Sequence, residues 1–183
     1  MKPLLRFEDV SCRRGGRLLF EYVNLRLGPG EALHLKGPNG SGKSSLIRLA
    51  AGLLCPETGK IESDQFALAD EGLALDRELP LRRALAFWEP AVDEAMKALD
   101  LARLADVPVR LLSTGQAKRA TLARVVASRA SLWLLDEPLN GLDTDGVARL
   151  KALVAAHLGR GGAVLAASHG PLGRRWTQME LGA

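Results

Sequence analysis

The sequence predicts an α/β fold, with a parallel sheet covered by helices and a mainly helical insertion in the middle of the chain. Three observations carry this. A short apolar stretch, Glu31 to Lys36, runs into a glycine-rich turn and then into a helical pattern from Lys43 to Ala51. Two further apolar runs of strand length, Leu132 to Leu135 and Ala163 to Ala167, are bounded by turn or charged residues, as buried parallel strands are. Between them Val147, Leu150, Val154 and Leu158 recur at helical spacing, with Asp143 or Thr144 as N-cap, so strand, helix and strand make a βαβ unit.

The middle of the chain reads differently. Pro90 to Leu104 and Gly115 to Ser128 are helical in pattern with few β-branched residues. This places a helical insertion at 72–130 and the α/β core in 1–71 and 131–183.

The 183 residues, 47% hydrophobic and 25% charged, fit one compact domain. The net charge of +4 is spread along the chain; it suits phosphates, an anionic membrane or nucleic acid and selects none of them. Cys12 and Cys55 form no CxxC pair, and Lys2, Arg6, Glu8 and Asp9 break up the start of the chain where a secretory leader would be apolar. A reduced, cytoplasmic setting is the expectation. No stretch approaches the ~20 apolar residues of a membrane-spanning helix, so membrane association is expected to come through a partner.

Gly37-Pro38-Asn39-Gly40-Ser41-Gly42-Lys43-Ser44 matches the phosphate-binding pattern G-x-x-x-x-G-K-[ST], between a predicted strand and a predicted helix, and these eight residues with Ser45 are the expected nucleotide-binding set. Glycines let several N–H groups turn inward, and the helix N-terminus adds partial positive charge. Lys43 is placed to reach the β- and γ-phosphates of a nucleoside triphosphate, and the Ser44 hydroxyl to bind Mg²⁺. Leu132 to Leu135 then leads to Asp136-Glu137 at the C-terminal end of a strand, where ligands gather in open α/β sheets. Asp136 is expected to hold Mg²⁺ opposite Ser44, and Glu137 to act on the attacking water as general base.

Leu112-Ser113-Thr114-Gly115-Gln116 and the helical stretch behind it resemble the signature motif of the ABC ATPases. The order of motifs agrees: phosphate loop, signature, Asp136-Glu137, Asn140-Gly141-Leu142-Asp143 resembling the D-loop, and His169 resembling the switch histidine. The resemblance implies a P-loop NTPase core with N-terminal antiparallel strands beside the parallel sheet, ATP and Mg²⁺ as ligands, and a homodimer in the ATP-bound state. In that dimer Ser113, Thr114, Gly115 and Gln116 of one copy, with Asp143, close on ATP held by the P-loop of the other. Ser113 and Gly115 at a helix start also form an anion site on physical grounds. His169 would contact the γ-phosphate, with Glu137 and Lys43 as the other catalytic residues. His34 and His157 have no partner pattern and read as packing residues.

Two departures stand out. Cys12-Arg13-Arg14-Gly15-Gly16 has no aromatic to stack on adenine, leaving Arg14 either to stack through its guanidinium or to be solvated. The glutamine of the Q-loop is missing near Ala69 to Gly72, where Asp70 or Glu71 could stand in.

Local wording such as Cys12-Arg13-Arg14-Gly15-Gly16-Arg17-Leu18-Leu19-Phe20 and Ser168-His169-Gly170-Pro171-Leu172 is similar to the ATP-binding subunits of cytochrome c maturation. That likeness implies integral membrane partner subunits, a peripheral position on the cytoplasmic face of the bacterial inner membrane, and haem handled only indirectly, since no CxxCH is present. Other readings are the ATPase of another small ABC transporter, a soluble ABC ATPase acting on nucleic acid or ribosomes, and a non-hydrolysing nucleotide-binding module. No basic arm or second ATPase half supports the nucleic-acid reading, so no nucleic acid is expected.

Overall fold

The computed structural model describes residues 2–88, 90–173 and 176–182. In chain order the elements are β1 (Leu5–Arg14), β2 (Arg17–Leu27), β3 (Ala32–Lys36), α1 (Lys43–Ala50), β4 (Thr58–Ser63), β5 (Phe66–Ala69), α2 (Leu81–Ala84), α3 (Val92–Ala98), α4 (Thr114–Ala127), β6 (Leu132–Asp136), α5 (Thr144–Gly159), β7 (Ala163–Ala167) and β8 (Thr177–Glu180). Single 3₁₀ turns lie at Ala86–Trp88, Ala102–Leu104 and Val109–Leu111.

Two sheets form. An antiparallel sheet has the order β2-β1-β4, and a parallel sheet the order β5-β6-β7-β3-β8. Every residue of β6 and β7 is buried, because strands covered on both faces must be apolar throughout. Alternation along β6 divides its side chains between two cores. Leu132 and Leu134 join Phe7, Val10, Leu46 and Ile47 between α1 and the antiparallel sheet. Trp133 and Leu135 join Leu81, Val92, Met96, Leu122 and Val154 under the helices of the other face. Each such fully buried Leu or Val contributes about 1.5–3 kcal/mol of transfer free energy.

The expected strands and helices are present, with β3, β6, β7, α1 and α5 close to their predicted bounds. Between Pro90 and Leu104 the helical pattern breaks: α3 stops at Ala98, Asp100 takes φ +54, and a 3₁₀ turn follows. The break lets both Leu99 and Leu101 reach zero exposure. β5 and β8 had no counterpart in the sequence reading. Both are four residues long and lie at the edges of the parallel sheet, where few side chains are buried and no apolar run is required.

His157 closes the far end of the core from the phosphate loop. Its ring lies flat on Trp133, centroids 4.0 Å apart at 9°, and Nε2 meets the Ala163 carbonyl at 3.3 Å. Burial pushes its pKa below the ordinary 6.5, against the opposing pull of its hydrogen bonds to the Ala163 and Ser131 backbone. A folded-state pKa below the unfolded value means stability that is present above pH 6.5 and is lost as pH falls below it. The drop in melting temperature between neutral pH and about pH 5 is therefore expected to be shallower in His157→Gln than in the parent, read by thermal unfolding at each pH. Equal slopes would refute a neutral buried imidazole.

Candidate functional site: a phosphate loop facing two carboxylates

β3 ends at Lys36 and the chain turns through Gly37 to Gly42 into α1. Gly37 has φ +134, and a Cβ there would lie 2.2 Å from the Leu181 carbonyl oxygen, so only glycine lets the loop pass. Gly42 caps α1 at φ +103 with the Phe20 ring 3.0 Å from where a Cβ would stand. Lys43, 9% exposed, donates from Nζ to the Gly37 and Pro38 carbonyls at 2.8 and 2.9 Å, which fixes its ammonium across the loop.

A recess of about 540 Å³ opens over this turn, lined by Asn39, Gly40, Gly42, Lys43, Ser44 and Ser45 on one side and by Glu71, Glu137, Asn140 and His169 on the other. Arg14 and Leu19, from the β1–β2 hairpin, also line it. Gly37 and Pro38 line an adjoining recess with Lys43, His34 and His169. Ser41 lines neither; its side chain is buried at the back of the loop against Gly37 and Gly182.

Asp136 ends β6 at 5% exposure. Burial raises its pKa; the neighbouring Ser44 hydroxyl and Arg48 act to lower it, and Asp70 and Glu71 raise it further. Its Oδ1 is buried without a hydrogen-bond partner. A carboxylate oxygen and a hydroxyl side by side are hard donors of the kind a small divalent cation takes. Glu137 sits at φ +44, its N–H donating to the Ala167 carbonyl at 2.8 Å. A non-glycine residue in this region is uncommon, and the turn aims the side chain into the recess while Asp136 stays behind Ser44. Glu137 Oε2 also lacks a partner, and Oε1 stands 3.6 Å from His169 Nε2.

His169 follows β7 with 69% of its side chain exposed. The turn that carries it is anchored from below by His34, whose Nε2 meets the Ser168 carbonyl at 2.7 Å and its hydroxyl at 3.3 Å. Sequence reading took His34 for packing. It is buried, and its contact with Ser168 spans 134 positions, which no local pattern reveals.

Ser113 is the N-cap of α4 in a reciprocal capping box: its hydroxyl accepts from Gln116 N–H at 3.3 Å, and Gln116 Oε1 accepts from Ser113 N–H at 2.9 Å. Gly115 lies close enough to the Gly141 carbonyl that a Cβ would come within 3.0 Å of it. The Asp143 carboxylate caps α5 through Gly146 N–H at 2.8 Å. Ser113, Thr114, Gly115, Gln116 and Asp143 do not line the recess over the phosphate loop of their own chain. Asn140 and Leu19, which do line it, were not singled out as site residues; only the folded loop brings them there.

The ABC transporter family pattern matches residues 20–140. The chain belongs to the ABC transporter family. This ABC ATPase is 56% identical over 177 residues to the cytochrome c biogenesis ATP-binding export protein CcmA of Sphingopyxis alaskensis, covering 92% of this chain and 91% of that one. It is also 56% identical over 168 residues to the protein of the same name from Novosphingobium aromaticivorans, covering 90% and 87%. Among solved structures, an ATP-binding subunit of an ABC transporter superposes with TM-score 0.87 at 23% identity, covering 97% of this chain and 85% of that one. The cbiO1 protein of Clostridium perfringens, part of the ABC transporter complex cbiONQ, gives 0.77 at 24% identity, covering 93% and 80%; at such identities the likeness is one of fold. As an ABC ATPase the chain binds and hydrolyses ATP. Among the described residues no helix is long and apolar enough to cross a membrane.

Proposed function

We propose that this chain is the ATP-hydrolysing subunit of a membrane complex in cytochrome c biogenesis, driving haem export or the release of haem from its carrier. The observation that carries this reading is the 56% identity over nine-tenths of the chain to a protein named for that process, together with a recess that gathers Lys43, Ser44, Glu137 and His169.

In this mechanism the inward N–H groups of Gly40 to Ser44 and the N-terminus of α1 hold the β- and γ-phosphates, with Lys43 supplying the neutralising charge. Ser44 and Asp136 would hold Mg²⁺, which when bound would supply charge neutralisation at the phosphate oxygens. The unpartnered Asp136 Oδ1 beside the Ser44 hydroxyl fits that ion. Glu137 takes a proton from the water that attacks the γ-phosphorus, the bond to the bridging oxygen breaks, and ADP and inorganic phosphate leave. His169, beside Glu137, helps place that water. Ser113 to Gln116 and Asp143 act on ATP held by a second copy, so that two nucleotides are enclosed in a two-fold dimer. The helical segment 72–130 is read as a subdomain that carries the signature to the partner copy. The complex sits on the cytoplasmic face of the inner membrane through integral membrane partners.

The test is complementation. In a Sphingopyxis alaskensis strain lacking its own relative, expression of this chain is expected to restore haem-stained c-type cytochromes, and its Lys43→Ala variant is expected not to. Failure of the well-expressed parent chain to restore them would overturn the assignment to this process.

A further inference from the structure

Lys118 lies on α4, one turn past Thr114, and lines a cavity of about 220 Å³ together with Asp70, Glu71, Thr114, Glu137 and Asn140. Glu71, Glu137 and Asn140 line both this cavity and the recess over the phosphate loop, so these three residues form the boundary between the two. Arg124 further ties the same helix to the strand that leads into this loop. Arg124 donates from Nη2 to the Leu68 carbonyl at 2.5 Å, at the end of β5, and its charge acts on Asp70. Asp70 in turn accepts the Gly72 N–H at 3.0 Å, closing a short turn around Glu71.

The charges within reach of this cavity are lopsided. Asp136, Asp70, Glu71 and Glu137 all act on the Lys118 ammonium, whose pKa burial lowers against their pull. Of the other nearby cations, Arg124 also acts on Asp70 while its Nη2 bonds the Leu68 carbonyl, Lys43 bonds the Gly37 and Pro38 carbonyls, and Arg48 acts on Asp136, so Lys118 is the cation whose charge reaches Glu71 and Glu137 as well. Like charges gathered at a partly buried site repel strongly unless a counter-ion stands among them. The segment with the freedom to move away is the exposed one, Glu71, since Asp136 and Glu137 are fixed by β6 and by its bond to β7.

We propose that Lys118 is a positioning residue for ATP hydrolysis: its ammonium holds the Asp70–Glu71 loop against α4, so that Glu71 keeps an oxygen facing the nucleotide recess. The signature helix of a chain thereby serves two nucleotides, touching one in the partner copy at its tip and steadying the wall of its own chain's site one turn later. This rests on the ATPase assignment.

The experiment compares four forms of the full chain: parent, Lys118→Gln, Lys118→Arg, and Lys118→Gln combined with Glu71→Gln. Lys118→Gln is expected to lower kcat about tenfold with the KM for ATP within about twofold, because the lost interaction orients rather than binds. Amide hydrogen exchange across 68–76 is expected to speed up in the same variant and to return to the parent rate in Lys118→Arg. The double variant is expected to recover most of the lost turnover, since removing the repelling charge removes the need for its counter-ion while the amide still offers an oxygen. Turnover and exchange in Lys118→Gln equal to the parent would overturn the proposal, as would a double variant no better than the single one. A parent chain that fails to hydrolyse ATP would strike the ATPase assignment instead; a working parent with an indifferent Lys118→Gln strikes this inference alone.

Discussion

Glu137→Gln is expected to slow ATP hydrolysis by about a hundredfold or more while leaving ATP affinity within about twofold. The amide keeps the shape of the side chain and its place 3.6 Å from His169, but it cannot take a proton from water. Because Glu137 does not belong to the phosphate loop, binding is spared. The variant should therefore accumulate in its ATP-bound state, and in the presence of ATP it should run as a dimer on a sizing column where the parent does not persist as one. Single-turnover release of phosphate measures the rate. Turnover equal to that of the parent would remove Glu137 from its role as base, and another group in the recess would have to carry it.

Lys43→Ala is expected to act on the other half of the process. A charge-assisted hydrogen bond to phosphate contributes about 1.5–3 kcal/mol, so ATP affinity should fall roughly ten- to a hundredfold or more. In the folded chain the ammonium already bonds two carbonyls of the loop, those of Gly37 and Pro38. Its removal thus also leaves the Gly37 and Pro38 carbonyls without that donor, which loosens the loop that must wrap the phosphates. Titration with a fluorescent ATP analogue checks the outcome, and affinity equal to the parent's would displace Lys43 from the phosphates. The contrast is diagnostic: one variant keeps affinity and loses rate, and the other loses affinity first.

What could be read from the sequence was whatever chemistry fixes at short spacing. The phosphate loop is eight consecutive residues with strong steric demands, and Gly37 meets them against a carbonyl 2.2 Å from where a Cβ would be. Ser113 and Gln116 sit three apart and form the capping box that such a spacing allows. Asp143 was legible in two ways, as an N-cap from its spacing and as a nucleotide contact from resemblance; within one chain its carboxylate serves the first. Other features depend on distant parts of the chain meeting. β5 reads as nothing in particular until it pairs with β6, because Phe66-Ala67-Leu68-Ala69 has neither alternation nor turn signals to mark it. β8 is polar and mostly exposed, and only its pairing with β3 makes it a strand. The support that His34 gives to the turn before His169, and the facing of Lys118 toward Asp70 and Glu71, join residues 134 and about 48 positions apart. Periodicity has no access to such pairs.

The division of β6 between two cores carries one more consequence. A strand gripped by interlocking side chains on both faces can neither slide nor roll, because any shift along its axis would lift Leu132 and Leu134 from one layer and Trp133 and Leu135 from the other at once. Asp136 and Glu137 ride on the tip of that clamped bar. The two carboxylates are therefore held as a fixed reference, and a ligand entering the recess has to fit itself to them.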